Sequence, residues 1–117
     1  MTVSINDVAN EIIRLGESSP DFVYSSDRDN GTCFYLNSDG SGDCIVGTAL
    51  RNLGIGIDLM KSADARILNK DAVGAESLLD DIFGKDNDKD IAFLISEVQA
   101  DQDVAIPWGE AINHLKK

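Results

Sequence analysis

Apolar residues recur at helical spacing through most of the chain, and one early stretch breaks that rhythm. Ile5, Val8, Ile12 and Leu15 share one helical face, Ser4 followed three residues later by Asp7 forms a capping-box pattern, and Gly16 supplies a stop, so a first helix is predicted over 5–15. Pro20 then opens residues 22–25, Phe-Val-Tyr-Ser, and a loop ending in Asp29, Asn30 and Gly31 leads to 33–36, Cys-Phe-Tyr-Leu. Aromatic and branched residues on either side of an Asn-Gly turn predict a β-hairpin.

From position 43 the helical rhythm returns. Asp43 is the expected cap of a helix carrying Ile45, Val46, Ala49, Leu50 and Leu53, which Gly54 ends. A short helix over 62–69 capped by Ser62 follows, then one over 72–83 carrying Val73, Leu78, Leu79, Ile82 and Phe83, with Gly74 weakening its first turn. Asp90 is the expected cap of a helix over 91–100, where Phe93, Leu94, Ile95 and Val98 crowd more than one face and predict burial on most sides. Pro107 suits the first position of a last helix on which Trp108, Ala111, Ile112 and Leu115 align, with Lys116 and Lys117 at its negative end. The expected fold class is α+β and mostly helical: five or six short helices with one β-hairpin near the N-terminal third, in a single small domain over 1–117.

Charge sharpens this picture. The 117 residues hold 21 acidic against 10 basic side chains, a formal charge of −11. Such a surface repels phosphate backbones and anionic lipid, which argues against direct nucleic-acid or membrane binding; the plain reading of the charge is solubility, and the sharper one is an acidic face that engages a basic protein partner or imitates DNA. The acidic residues Asp80, Asp81, Asp86, Asp88 and Asp90 are the expected partner-binding set. No apolar run reaches the roughly 20 residues of a membrane span, and the first residues lack a secretory signal, so a cytoplasmic setting is expected. An uncovered hairpin edge would add a route to homo-oligomers.

Candidate chemistry is sparse. The stretch NSDGSGDCIVGTALRNLG at 37–54 places glycines before a helix start, the geometry of a phosphate cradle, yet Asp39 and Asp43 flank those glycines and no Walker lysine follows. Cys44 at that helix start is a candidate nucleophile for a thiol-dependent enzyme, with His114 as base and Asn113, Asp103 or Glu110 as orienters. Against it stands the ordinary fate of a free cysteine such as Cys33 or Cys44, which is burial as a small apolar residue. Two cysteines and one histidine supply few zinc ligands. The run from Asp86 through Asp88 and Asp90 to Glu97 has the twelve-residue frame of a calcium loop, but Ile91 stands where that loop needs glycine and Lys89 adds a positive charge. A weaker version of the frame runs from Asn37 to Thr48. Paired carboxylates are too abundant to single out a glycosidase pair, and no motif implies a cofactor. The balance leans away from an enzyme.

Taken together, Cys33-Phe34-Tyr35, the segment from Cys44 through Gly47 to Leu50, Leu53-Gly54, Gln99 with Gln102-Asp103, and Pro107-Trp108 leading to Ala111 resemble small uncharacterised proteins of actinobacteria and their bacteriophages. In those, a C-x-Y segment precedes a C-I-V-G-x-A-L helix, and a Q-x-x-Q-D stretch leads to a P-W-x-x-A helix. The resemblance covers about 33–54 and 99–111. It implies a phage or bacterial cytosolic setting and a role in binding and modulating a host protein.

Overall fold

The first helix starts where its cap is written. Ser4 Oγ accepts from the Asp7 amide at 3.3 Å, and the Asp7 carboxylate accepts from the Ser4 amide at 2.9 Å, the reciprocal pair expected from the spacing. In this computed structural model, which describes residues 3–24, 35–36, 40–68 and 74–116, α1 spans Ile5–Ser18 and buries Ile5, Val8, Ala9, Ile12 and Gly16. It does not stop at Gly16. That glycine lies against Ile112, and a Cβ there would come within 2.5 Å of the Ile112 side chain. Close packing offsets the roughly 1 kcal/mol that glycine costs inside a helix.

The second helix, α2 (Ile45–Leu53), starts one residue later than an Asp43 cap implies and ends as expected on Gly54 at φ +72°. α3 (Ile57–Leu68) begins five residues before Ser62, with the fully buried Met60 in its first turn donating its amide to Gly56 O at 2.8 Å. α4 (Ala75–Phe83) starts after Gly74 and runs into a 3-10 turn, Gly84–Asp86. α5 (Lys89–Asp103) is longer than 91–100 at both ends, and Asp88 caps it in place of Asp90, accepting from the Asp90 and Ile91 amides at 3.0 and 3.2 Å. The last helix is only one turn: α6 (Trp108–Ala111) passes into the 3-10 segment Ile112–His114, and Lys116 pairs with Glu17 on α1 at 3.4 Å.

α5 is the central element, packed against α1, α2, α4 and α6. Ala92, Ile95, Val98, Gln99 and Gln102 form its buried stripe, while Phe93 remains 50% exposed, so the helix keeps one open side. The helices share one apolar cluster that includes Ile12, Ile45, Leu50, Leu79, Ile95 and Ile112.

The α+β expectation is overturned, since among the described residues there is no strand and no sheet. Cys33, Asn30 and Gly31 lie outside the described residues, but both flanks of the expected hairpin are partly visible, and several of their backbone hydrogen bonds go elsewhere. Pro20 O and Phe22 O accept from the amides of Gly109 and Trp108 at 3.0 and 2.9 Å, and Phe22 packs edge-on against the Trp108 indole. The Tyr35 and Leu36 amides are held by the two oxygens of Asp64 on α3, at 2.8 and 3.0 Å. Leu36 makes a single antiparallel bridge to Gly42. Backbone groups already bonded to helix starts and a helix carboxylate are not available for a ladder. Among the described residues there is no strand edge of the kind expected to support self-association.

The segment before α2 lies tightly on that helix. A Cβ on Gly47 would stand 1.8 Å from Tyr35 O, so only glycine admits this crossing. Tyr35 O accepts from the Asp43 amide at 2.9 Å. Beneath it, Gln102 is fully buried on α5, and its Oε1 accepts from the Ile45 amide at 2.8 Å while its Nε2 donates to Asp103 at 2.8 Å. On the opposite side, Glu11 of α1 accepts from Arg14 and, across the helix pair, from Asn52 Nδ2 at 2.9 Å. The Arg14 hydrogen bond, helped by that from Asn52, holds the Glu11 carboxyl below its ordinary range against the upward push of partial burial.

Two expected outcomes follow from these contacts. Gln102→Leu leaves the buried Ile45 amide without an acceptor and should lower the free energy of unfolding by about 1–3 kcal/mol, read from urea denaturation. Because Glu11 binds its proton more weakly in the folded chain, its contribution is present above the unfolded carboxyl value and is lost as pH falls through the lower folded value. Melting temperature measured through the acid range should therefore fall less steeply for Glu11→Gln than for the parent chain.

Candidate functional site

The glycine-rich approach to α2 has the outline of an anion site, but three of its amides are taken. The Ile45 amide goes to Gln102, the Gly47 amide to Cys44 Sγ at 3.4 Å, and the Thr48 amide to Cys44 O at 2.8 Å. Cys44, and not Asp43, is the helix cap. Asp43 turns away and accepts from the Tyr24 hydroxyl at 3.1 Å. Arg51 donates to Gly40 O at 3.1 Å, which ties the turn back to the helix it precedes. The stretch is a packed turn closed over a helix start.

Cys44 is fully buried. A nucleophile needs access to its substrate and a neighbouring base, and this sulfur accepts a hydrogen bond inside the core. His114 is committed elsewhere: its Nε2 lies 2.8 Å from Asp101 Oδ2 at the end of α5. Neither Asp103 nor Glu110 orients it, and Asp103 instead receives the Gln102 amide. The structure therefore does not assemble the Cys44–His114 pair.

The Asp86–Glu97 frame is likewise taken apart by helix. Everything from Lys89 onward is α5, so Glu97 lies about 12 Å of helical rise beyond Lys89. Asp88 uses Oδ1 to cap α5, and Asp90 sits in the first turn. Among the described residues no group of three or more histidine, cysteine or acidic side chains could hold a metal ion.

What the structure does assemble is an acidic cleft between α4 and α5. Glu76, Ser77, Asp80, Asn87, Lys89 and Ala92 line an open space of about 260 Å³. Glu76 and Asp80 stand at i, i+4 on α4 and so face the same way. Asn87 Nδ2 donates to Asp80 Oδ1 at 3.3 Å, an orientation that leaves its Oδ1 buried with no donor. Glu76 Oε1 receives Ser96 Oγ at 3.3 Å, a hydroxyl that also bonds Phe93 O at 2.7 Å. Among the described residues each carboxylate thus keeps a second oxygen with no donor, and the cleft is rich in acceptors. Asp81, Asp86, Asp88 and Asp90 are exposed on α4, the turn and the start of α5, and add to the same negative field.

Sequence reasoning named Asp80 but missed Glu76 and Asn87, although the i, i+4 spacing of Glu76 and Asp80 was there to be read. It also missed the roles of Asp64, Asp101 and Gln102. For Gln102 a signal existed: the residue continues the apolar stripe Ile95, Val98 and Gln99 of α5, and a polar side chain in a buried stripe needs a buried partner. Compared with protein-family models, curated proteins and solved structures, the chain matches none.

Burial of Cys44 has a direct readout. In a Cys33→Ser chain, alkylation of the remaining thiol by iodoacetamide should be undetectable while the fold is intact and become rapid in denaturing urea; fast labelling of the native chain would show that Cys44 is accessible.

Proposed function

We propose that the protein is a small acidic interaction protein whose α4–α5 face binds a basic protein partner and modulates it. The observation that carries this reading is the cleft of Glu76, Asp80 and Asn87, with acceptors in excess of donors and one lysine on its lining. A lysine ammonium or arginine guanidinium supplies several donors and no acceptor, which is the complement of such a cleft. The five aspartates at 80, 81, 86, 88 and 90 would steer a cationic surface toward it. The net charge of −11 supports a protein partner over nucleic acid. No helix among the described residues is long and apolar enough to cross a membrane. The resemblance to proteins of actinobacteria and their phages supports a cytosolic, phage-encoded setting in which the partner is a host protein.

A peptide of alternating lysine and glycine is a sufficient probe. Titrated into the isotope-labelled chain, it should shift amide resonances within 76–90 and bind more weakly as salt rises. Neutralising the face by Asp80→Asn with Asp81→Asn should weaken binding by about two- to fivefold per carboxylate. Shifts spread evenly over the molecule, or affinity unchanged in the double variant, would reject this face as the binding surface.

A further inference from the structure

A second feature adjoins the acidic face and differs from it in chemistry. Val3, just before α1, Ile55 and Leu59 at the α2–α3 junction, and Ile82 and Phe83 at the end of α4 surround an open groove of about 510 Å³. The volume far exceeds the roughly 30 Å³ of one water molecule. Its walls are solvated apolar side chains, with Leu59 38% exposed. Gly56, at φ +70°, lies against Ile82, where a Cβ would come within 2.6 Å, so α4 sits close on the α2–α3 turn and the groove opens outside that contact. Asp86 is the one charged residue on the lining among the described residues, and it belongs to the turn that leads to Asp88 and the acidic cleft.

We propose that this groove receives one large aliphatic side chain of the basic partner, whose neighbouring lysine or arginine is held by Asp86. The inference rests on the acidic-face reading and extends it from charge to a specific docking element: an apolar anchor flanked by cations. Burying the apolar walls against an aliphatic side chain removes both from water and supplies affinity. Charge selects the occupant. An acidic segment would be repelled by Asp86 and the adjoining aspartates, and a second copy of a chain with net charge −11 would bring two such faces together. A basic amphipathic segment meets both the groove and its rim.

Three peptides of equal length test this: lysine–glycine, the same peptide with one central leucine, and a glutamate–glycine peptide carrying that leucine. The leucine should raise the affinity of the lysine peptide about tenfold and shift the amides of Ile55, Gly56, Leu59, Ile82 and Phe83. Leu59→Ser should return affinity to that of the lysine–glycine peptide, and Asp86→Asn should cost about two- to fivefold; both side chains are exposed, and unchanged melting curves would verify that the fold is kept. If the leucine adds nothing while the lysine–glycine peptide still binds, the groove proposal falls and the acidic-face reading stands. If neither lysine peptide binds, both fall. Equal binding of the glutamate peptide would overturn the basic character of the occupant, and sedimentation of the free chain as a dimer that Leu59→Ser dissolves would assign the groove to a second copy.

Discussion

The hydrogen bond from the Ile45 amide to Gln102 Oε1 is the contact on which the arrangement depends. A helix start brings unsatisfied amides, and burying them without acceptors costs more than any single bond returns. α2 begins in the interior, so a side chain from another helix has to meet it there. Gln102 does so from α5, which is also the helix that touches α1, α2, α4 and α6. One amide group therefore fixes the axial position of α2 against the central helix. The rest of the N-terminal region is built on that placement, with Tyr35 crossing over Gly47 and Asp64 of α3 gathering the Tyr35 and Leu36 amides.

The same contact removes the chemistry that the cysteine-bearing helix start suggests. An anion or a thiolate at that position would draw on free amides and the positive end of the helix. Here Gln102 and the Cys44 sulfur occupy the amides of Ile45 and Gly47, and the cysteine is sealed beneath the turn. His114, the remaining residue suited to general-base work, is turned onto Asp101. At the other end of α5, Asp88 caps the helix and Glu76, Asp80 and Asn87 gather acceptors in one cleft.

Helix starts and stops governed by neighbours in the chain were legible in advance. The Ser4–Asp7 box and the end of α2 at Gly54 rest on interactions within a few residues. The early starts of α3 and α5 were less legible: Ser62 and Asp90 are good caps in isolation, Asp88 is an equally local one two residues earlier, and burial of Met60 favours the earlier start of α3 only once the helices pack. Gly16 reads as a stop until Ile112 is placed against it. For the site, the excess of acid was visible in composition, but which acids share a cleft depends on the packing of α4 against α5.

The sequence by itself determined the helical periodicity, the Ser4–Asp7 cap, the Gly54 stop and the sign of the surface charge, since each is a property of near neighbours or of a sum over residues. The tertiary structure decided what the aromatic segments around positions 22 and 35 would become. Strand propensity is a preference for a half-buried, paired surface and is realised only when a partner strand takes up the backbone groups. In this protein the amides of Trp108 and Gly109 and the carboxylate of Asp64 take up the described ones instead. Those residues lie far along the chain, and only folding brings them within hydrogen-bonding distance.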